Sequence, residues 1–186
     1  RRPIVVALAG PNGAGKTTFF YAHLASAGLR FVNADTLSAE LALDTYQAAR
    51  IADALRRELL SRGESFVFET VFSDPVGDKV AFLEEAARRG HQVVLCYIGL
   101  ARAGQSIERV AMRVSQGGHD VPDEKLQARF PRTLANLARA IPRLPHVLVY
   151  DNSDFSAPYR HVAAFDHGRL VLLREPAPTW LRPLLP

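Results

Sequence analysis

Apolar residues follow two alternating patterns along the chain. Ile4 to Ala9 is an unbroken apolar run rich in β-branched residues, which predicts a strand buried on both faces, as in a parallel sheet. Arg30 to Asn33, Ser65 to Val71, Gln92 to Ile98 and His146 to Tyr150 read as further strands of the same core. Between them the apolar spacing changes to three and four. Thr17 to Ala27 reads as a helix stopped by Gly28. Asp44 to Arg62 sets Ala48, Ala52, Leu55 and Leu59 on one face, and Gly63 ends it. Val76 to Arg89 is a helix closed by Gly90. Gln105 to Gln116 is expected to bury Ile107, Val110, Ala111 and Val114. Pro122 to Ile141 is expected to bury Leu126, Phe130, Leu134, Leu137 and Ile141, with Gly117 to Val121 as linker. His161 to Phe165 and Arg169 to Leu173 flank Asp166-His167-Gly168, a hairpin signal. The proline-rich tail carries Trp180 and Leu181, which are expected to dock it to the body.

Strands that alternate with helices predict a mostly parallel α/β sheet. With 186 residues, 48% of them hydrophobic and 23% charged, the chain suits one globular domain over residues 1–186, with a helical lid at about 101–140. The formal charge of +4 suits an anionic substrate and is no nucleic-acid signature by itself. The basic residues form no stripe along the chain, so a nucleic-acid partner is not expected. Cys96 is the single cysteine. It sits in an apolar run, which predicts a buried thiol and fits a reducing cytoplasm. No run reaches the ~18 apolar residues of a membrane span, and the first residues do not form a signal peptide.

The strongest chemical signal is Gly10-Pro11-Asn12-Gly13-Ala14-Gly15-Lys16-Thr17, a full match to G-x-x-x-x-G-K-[ST]. Glycines let successive backbone N–H groups curl toward phosphate oxygens, and the following helix adds its positive end. Lys16 supplies a mobile charge for the β- and γ-phosphates, the Thr17 hydroxyl can hold Mg²⁺, and Thr18 continues the loop's contacts. The motif lies between a buried strand and a helix, so the expected fold is a three-layer P-loop NTPase fold with a C-terminal β-hairpin. The expected ligands are ATP and Mg²⁺. The chain has no N-K-x-D guanine motif and no apolar strand ending in Asp-Glu, which argues for a kinase of small molecules.

Two carboxylates fall at the carboxyl ends of strands, where open parallel sheets bind ligands: Asp35 and Glu69. Phosphoryl transfer to a hydroxyl needs a carboxylate that accepts its proton and carboxylates that position the metal. Asp35 reads as that base or as a helix N-cap. Glu69 reads as a metal or substrate ligand or as half of an ion pair, and the two roles can be exchanged. Arg109 and Arg113 are four apart on one helix, and Arg129 and Arg132 three apart on the next. All four lie off the apolar stripes and are candidates to meet phosphate. Asn152, in Asp151-Asn152-Ser153 after the last core strand, is a candidate to read adenine.

The chain resembles the zeta-toxin family of P-loop kinases from Ile4 to about Arg169. The resemblance rests on the loop, Asn33-Ala34-Asp35-Thr36, Phe68-Glu69-Thr70, Glu108-Arg109-Val110, Gly118 to Pro122, Phe130 to Leu137 and Asp151-Asn152-Ser153. It implies an ATP-dependent kinase in which Lys16 binds phosphate, Asp35 is the general base, Glu69 holds substrate or metal and Arg109 stabilises the transferring group. It also implies UDP-N-acetylglucosamine as acceptor and raises an antitoxin protein as partner, although no partner-binding segment is visible. Where the classical toxins carry a second arginine after the lid helix, this chain has Gly117-Gly118-His119, and Arg113, Arg129 and Arg132 are the residues that could replace it. Other readings keep the loop and change the rest. The acceptor could be a nucleic-acid end, an antibiotic or another sugar, or the chain could be a non-catalytic ATP-binding module.

Overall fold

The computed structural model describes residues 2–186. Strand β1 (Ile4–Ala9) is the middle one of five parallel strands in a seven-stranded sheet. Strands β2 (Arg30–Val32), β3 (Phe66–Thr70), β1, β4 (Gln92–Gly99) and β5 (His146–Asp151) run parallel. Strands β6 (Arg160–Asp166) and β7 (Arg169–Leu173) complete it antiparallel. The hairpin turn uses His167 at φ 48° and Gly168 at φ 78°, as a tight two-residue turn requires.

Residues alternate between the faces of each strand. Val5, Ala7 and Ala9 pack on one side with residues of α3 (Thr45–Ser61), α4 (Asp78–Arg88) and α6 (Asp123–Ala140). Val6 and Leu8 pack on the other side with Phe19, Phe20, Cys96 and Leu100. Both faces are therefore covered, which is why the central strands read as continuous apolar runs. Burial pushes the Cys96 thiol up to about 12 and leaves it a packing group. Trp180 and Leu181 are buried as expected, and Trp180 donates to Asp151 at 3.2 Å.

The structure differs from the sequence expectations in α1 (Lys16–Phe19), α2 (Ala34–Leu41) and α5 (Ala103–Ser115). Helix α1 starts at Lys16–Phe19 and continues as a π turn over Phe20–Leu24 and a 3-10 turn over Ala25–Ala27, where a single α-helix was expected. Helix α2 was expected only under the alternative that made Asp35 a helix N-cap, because none of its residues is fully buried and no continuous apolar stripe marks it. Its N-cap is Asn33, whose Oδ1 accepts from the Asp35 N–H at 2.9 Å. This corrects both the strand ending at Asn33 and the reading of Asp35 as the cap. In α5 (Ala103–Ser115) the buried face centres on Ser106 and Val110, while Ala111 is exposed. Helix α6 packs on the body through its second half. Thr133 donates to the Tyr97 hydroxyl, and Asn136 donates to the carbonyls of Phe72 and Asp74, which ties its second half to the body.

Candidate active site

The loop between β1 and α1 passes so close to β4 that a Cβ on Gly10 would lie 2.1 Å from the Ile98 carbonyl, and Gly10 adopts φ 149°. Distant residues hold the rest of the loop. The Asn152 amide donates to the Ala14 carbonyl at 2.8 Å, and the Tyr159 hydroxyl donates to the Gly15 carbonyl at 2.8 Å. The Ser106 hydroxyl donates to the Asn12 carbonyl. Asn152 also accepts from the Tyr159 N–H, so its buried amide is committed to bracing the loop rather than offered to a base.

Lys16 is 6% exposed and donates to the carbonyls of Gly10 and Pro11 at 2.9 and 3.0 Å. Burial lowers its pKa; Glu69 and Asp35 oppose the shift, and Arg113 adds to it. Beside it, the Thr17 hydroxyl donates to Glu69 Oε2 at 2.7 Å, and the buried Asn33 amide donates to the same oxygen at 3.1 Å. A hydroxyl and a carboxylate so placed form an all-oxygen donor set of the kind a hard divalent cation takes. Asp35 follows in the first turn of α2 with an exposed carboxylate that makes no hydrogen bond among the described residues.

The arginines divide. Arg109 is half-buried on α5, with long contacts to the carbonyls of Gly13 (3.5 Å) and Ser153 (3.3 Å), and its guanidinium lies 4.3 Å from the Phe155 ring centroid. Burial lowers its pKa, with Tyr159 and Asp151 opposing. Arg113 is exposed and donates to the His119 carbonyl at 3.2 Å. Arg129 reaches Asn12 Oδ1 at 3.4 Å. Arg132 is not brought to the loop: it donates to the Ala128 carbonyl on its own helix and lines a separate hollow with Ser73 and Asp74.

Lys16, Thr17, Thr18, Asp35, Glu69, Arg109, Arg113 and Arg129 all line one cleft of about 730 Å³, together with Asn12, Gly13 and Gly15 of the loop. Five basic side chains (Lys125 is the fifth) face three carboxylates there, Asp35, Glu69 and Asp120. Basic residues dispersed in sequence thus converge in space. Sequence reasoning gave no role to Asn33, Ser106, Tyr159 or the linker residues His119 and Asp120. Only Asn33 carried a local signal, an Asn between a strand and an acidic helical turn.

A family profile described as an AAA domain matches residues 5–137. The chain belongs to the AAA-domain family. A search of curated protein sequences gives no match. Solved structures share this AAA-domain fold. The crystal structure of the AvrRxo1-ORF1:AvrRxo1-ORF2 complex with sulphate ions aligns with a TM-score of 0.74 and 18% identity, over 96% of this chain and 65% of that one. This chain therefore spans less than two thirds of that relative. The PezAT chromosomal toxin-antitoxin system of Streptococcus pneumoniae aligns with a TM-score of 0.58 and 16% identity, over 81% of this chain and 68% of that one. A gluconokinase from Sinorhizobium meliloti 1021 aligns with a TM-score of 0.50 and 21% identity, over 81% and 83%. At these identities the likeness establishes the fold alone, that of an α/β P-loop NTPase-like domain.

Proposed function

We propose that the chain is a kinase that transfers the γ-phosphate of Mg-ATP to a hydroxyl group of a small acceptor. The observation that carries this reading is the convergence of Lys16, the hydrogen-bonded Thr17–Glu69 pair and the free Asp35 carboxylate on one cleft. The loop N–H groups and Lys16 bind the nucleotide phosphates. Thr17 and Glu69 would hold Mg²⁺, which would supply positive charge against the developing charge of the transfer. Asp35 orients the acceptor hydroxyl and takes its proton as the oxygen attacks the γ-phosphorus. The bond to the bridging oxygen breaks and ADP leaves. Arg109, Arg113 and Arg129 line the cleft, where they would meet the charge on the transferring group. The exposure of Asp35, which leaves its carboxylate open to an alcohol, supports its role as base over that of Glu69, whose oxygen is bonded to Thr17 and Asn33.

The resemblance to zeta-toxin kinases makes UDP-N-acetylglucosamine the first acceptor to test. Two of the similar structures, an ORF1:ORF2 complex and a toxin-antitoxin system, support testing for a protein partner. The experiment is transfer of label from γ-labelled ATP with Mg²⁺ to UDP-sugars, sugars and small alcohols. A labelled product that Lys16→Ala abolishes is expected. ATP binding with no labelled product from any hydroxyl compound would favour a non-catalytic module.

A further inference from the structure

A further hollow, of about 250 Å³, adjoins the main cleft. It shares Asp35, Glu69, Ala49 and Val71 with the main cleft and adds Asn33, Asp53, Arg56 and Lys79. Arg56 is 5% exposed, yet a guanidinium has five donors and its one side-chain partner among the described residues is Asp53, at 2.8 Å. Its Nε is sealed from solvent without a partner, and its guanidinium lies 5.1 Å from the Phe68 ring centroid. Asp53 is shared, because it also accepts from Arg57 at 2.9 Å. Lys79 is half-buried at the far wall and pairs with no carboxylate within 4.0 Å among the described residues. Arg56, Arg57 and Lys79 thus surround a single carboxylate that contacts any of them. Of the other acids on the hollow, Glu69 is bonded to Thr17 and Asn33, and Asp35 lies at the cleft side. Asp74 and Asp78 act on Lys79 only from a distance.

Burying cations without full partners is costly and calls for an explanation. We infer that this hollow binds an anionic group of the phosphate acceptor, a phosphate or a carboxylate, on Arg56 and Lys79. The inference rests on the phosphotransfer reading and specifies its substrate class. An acceptor anchored there by its anion reaches toward Asp35, which faces both spaces. A guanidinium and an ammonium together suit an oxyanion, the first by its planar fork and the second as a point charge. Burial draws the pKa of both groups below their ordinary values, and an anion between them would restore what burial removes.

The test saturates the loop with Mg²⁺ and a non-hydrolysable ATP analogue, then titrates inorganic phosphate or acetate at constant ionic strength. The readout is the side-chain nitrogen resonances of Lys79 and Arg56. Saturable shifts of both are expected with one or both probes. Phosphate alone assigns a phosphate-bearing acceptor, and acetate alone a carboxylate. Lys79→Gln, at a half-buried position without an ion pair, is expected to keep analogue binding, which checks its fold, and to weaken the probe by about tenfold. Absence of saturable shifts with either probe overturns the inference, and so does a Lys79→Gln chain that binds the probe as the parent does. If the ATP analogue itself does not bind, the phosphotransfer reading fails separately, and the anion titration is run on Lys16→Ala.

Discussion

The two sides of the cleft are built differently. The phosphate loop is over-determined: Gly10 touches β4, Asn152 and Tyr159 hold Ala14 and Gly15, and Ser106 holds Asn12. Opposite it, Arg113 is exposed, its one side-chain hydrogen bond among the described residues runs to the His119 carbonyl, and His119 and Asp120 are exposed. Parts that meet a constant ligand, the polyphosphate, can be locked in advance, so that binding does not spend energy on ordering them. Parts that meet a variable acceptor, or that act only during transfer, can remain loosely held. The loop side should therefore respond to mutation in both stability and binding, and the arginine side in turnover alone.

The largest effect is expected at Lys16. Lys16→Ala should cut phosphate transfer by at least about a hundredfold, read as kcat/KM. Gly10→Ala should follow, at about 2–3 kcal/mol in urea unfolding, because the new methyl meets the Ile98 carbonyl and the φ angle disfavours L residues. Equal unfolding midpoints would break the claim that the loop is locked. Arg113→Gln should lower kcat about tenfold while changing stability by less than about 0.5 kcal/mol; a large loss of stability would erase the contrast between the two sides. Tyr159→Phe should have the smallest effect. It removes one hydrogen bond to Gly15, costs about 1 kcal/mol, and should appear as a higher KM for nucleotide with kcat little changed.

The same contrast governs what could be read from the sequence. The path from β1 through the loop to α1 is local. Its strand, glycines, lysine and hydroxyl follow one another, and the structure places them as the motif requires. Asp35 and Glu69 could be placed at strand ends because parallel topology puts those ends at one edge, and both line the cleft. Helix α2 was hard to see because amphipathic periodicity detects burial and α2 buries no residue fully, with only Ala34 and Leu37 packed partly on the core. The bracing role of Asn152 depends on Ala14, 138 positions away, and the anchoring of α6 depends on Tyr97 and Phe72. Arg129 and Arg132 looked equivalent in sequence. Three residues along a helix turned one toward Asn12 and the other onto its own backbone.

The most direct test of the central claim separates binding from chemistry at Asp35. Nucleotide affinity and the single-turnover rate of phosphate transfer would be measured for the parent chain and Asp35→Asn. The account predicts unchanged affinity for Mg-ATP and a transfer rate lower by at least about a hundredfold, because the amide keeps the shape of the carboxylate but cannot take a proton at neutral pH. An Asp35→Asn chain that transfers phosphate at the parent rate, or that loses nucleotide binding along with it, would contradict the assignment of Asp35 as the base of this cleft.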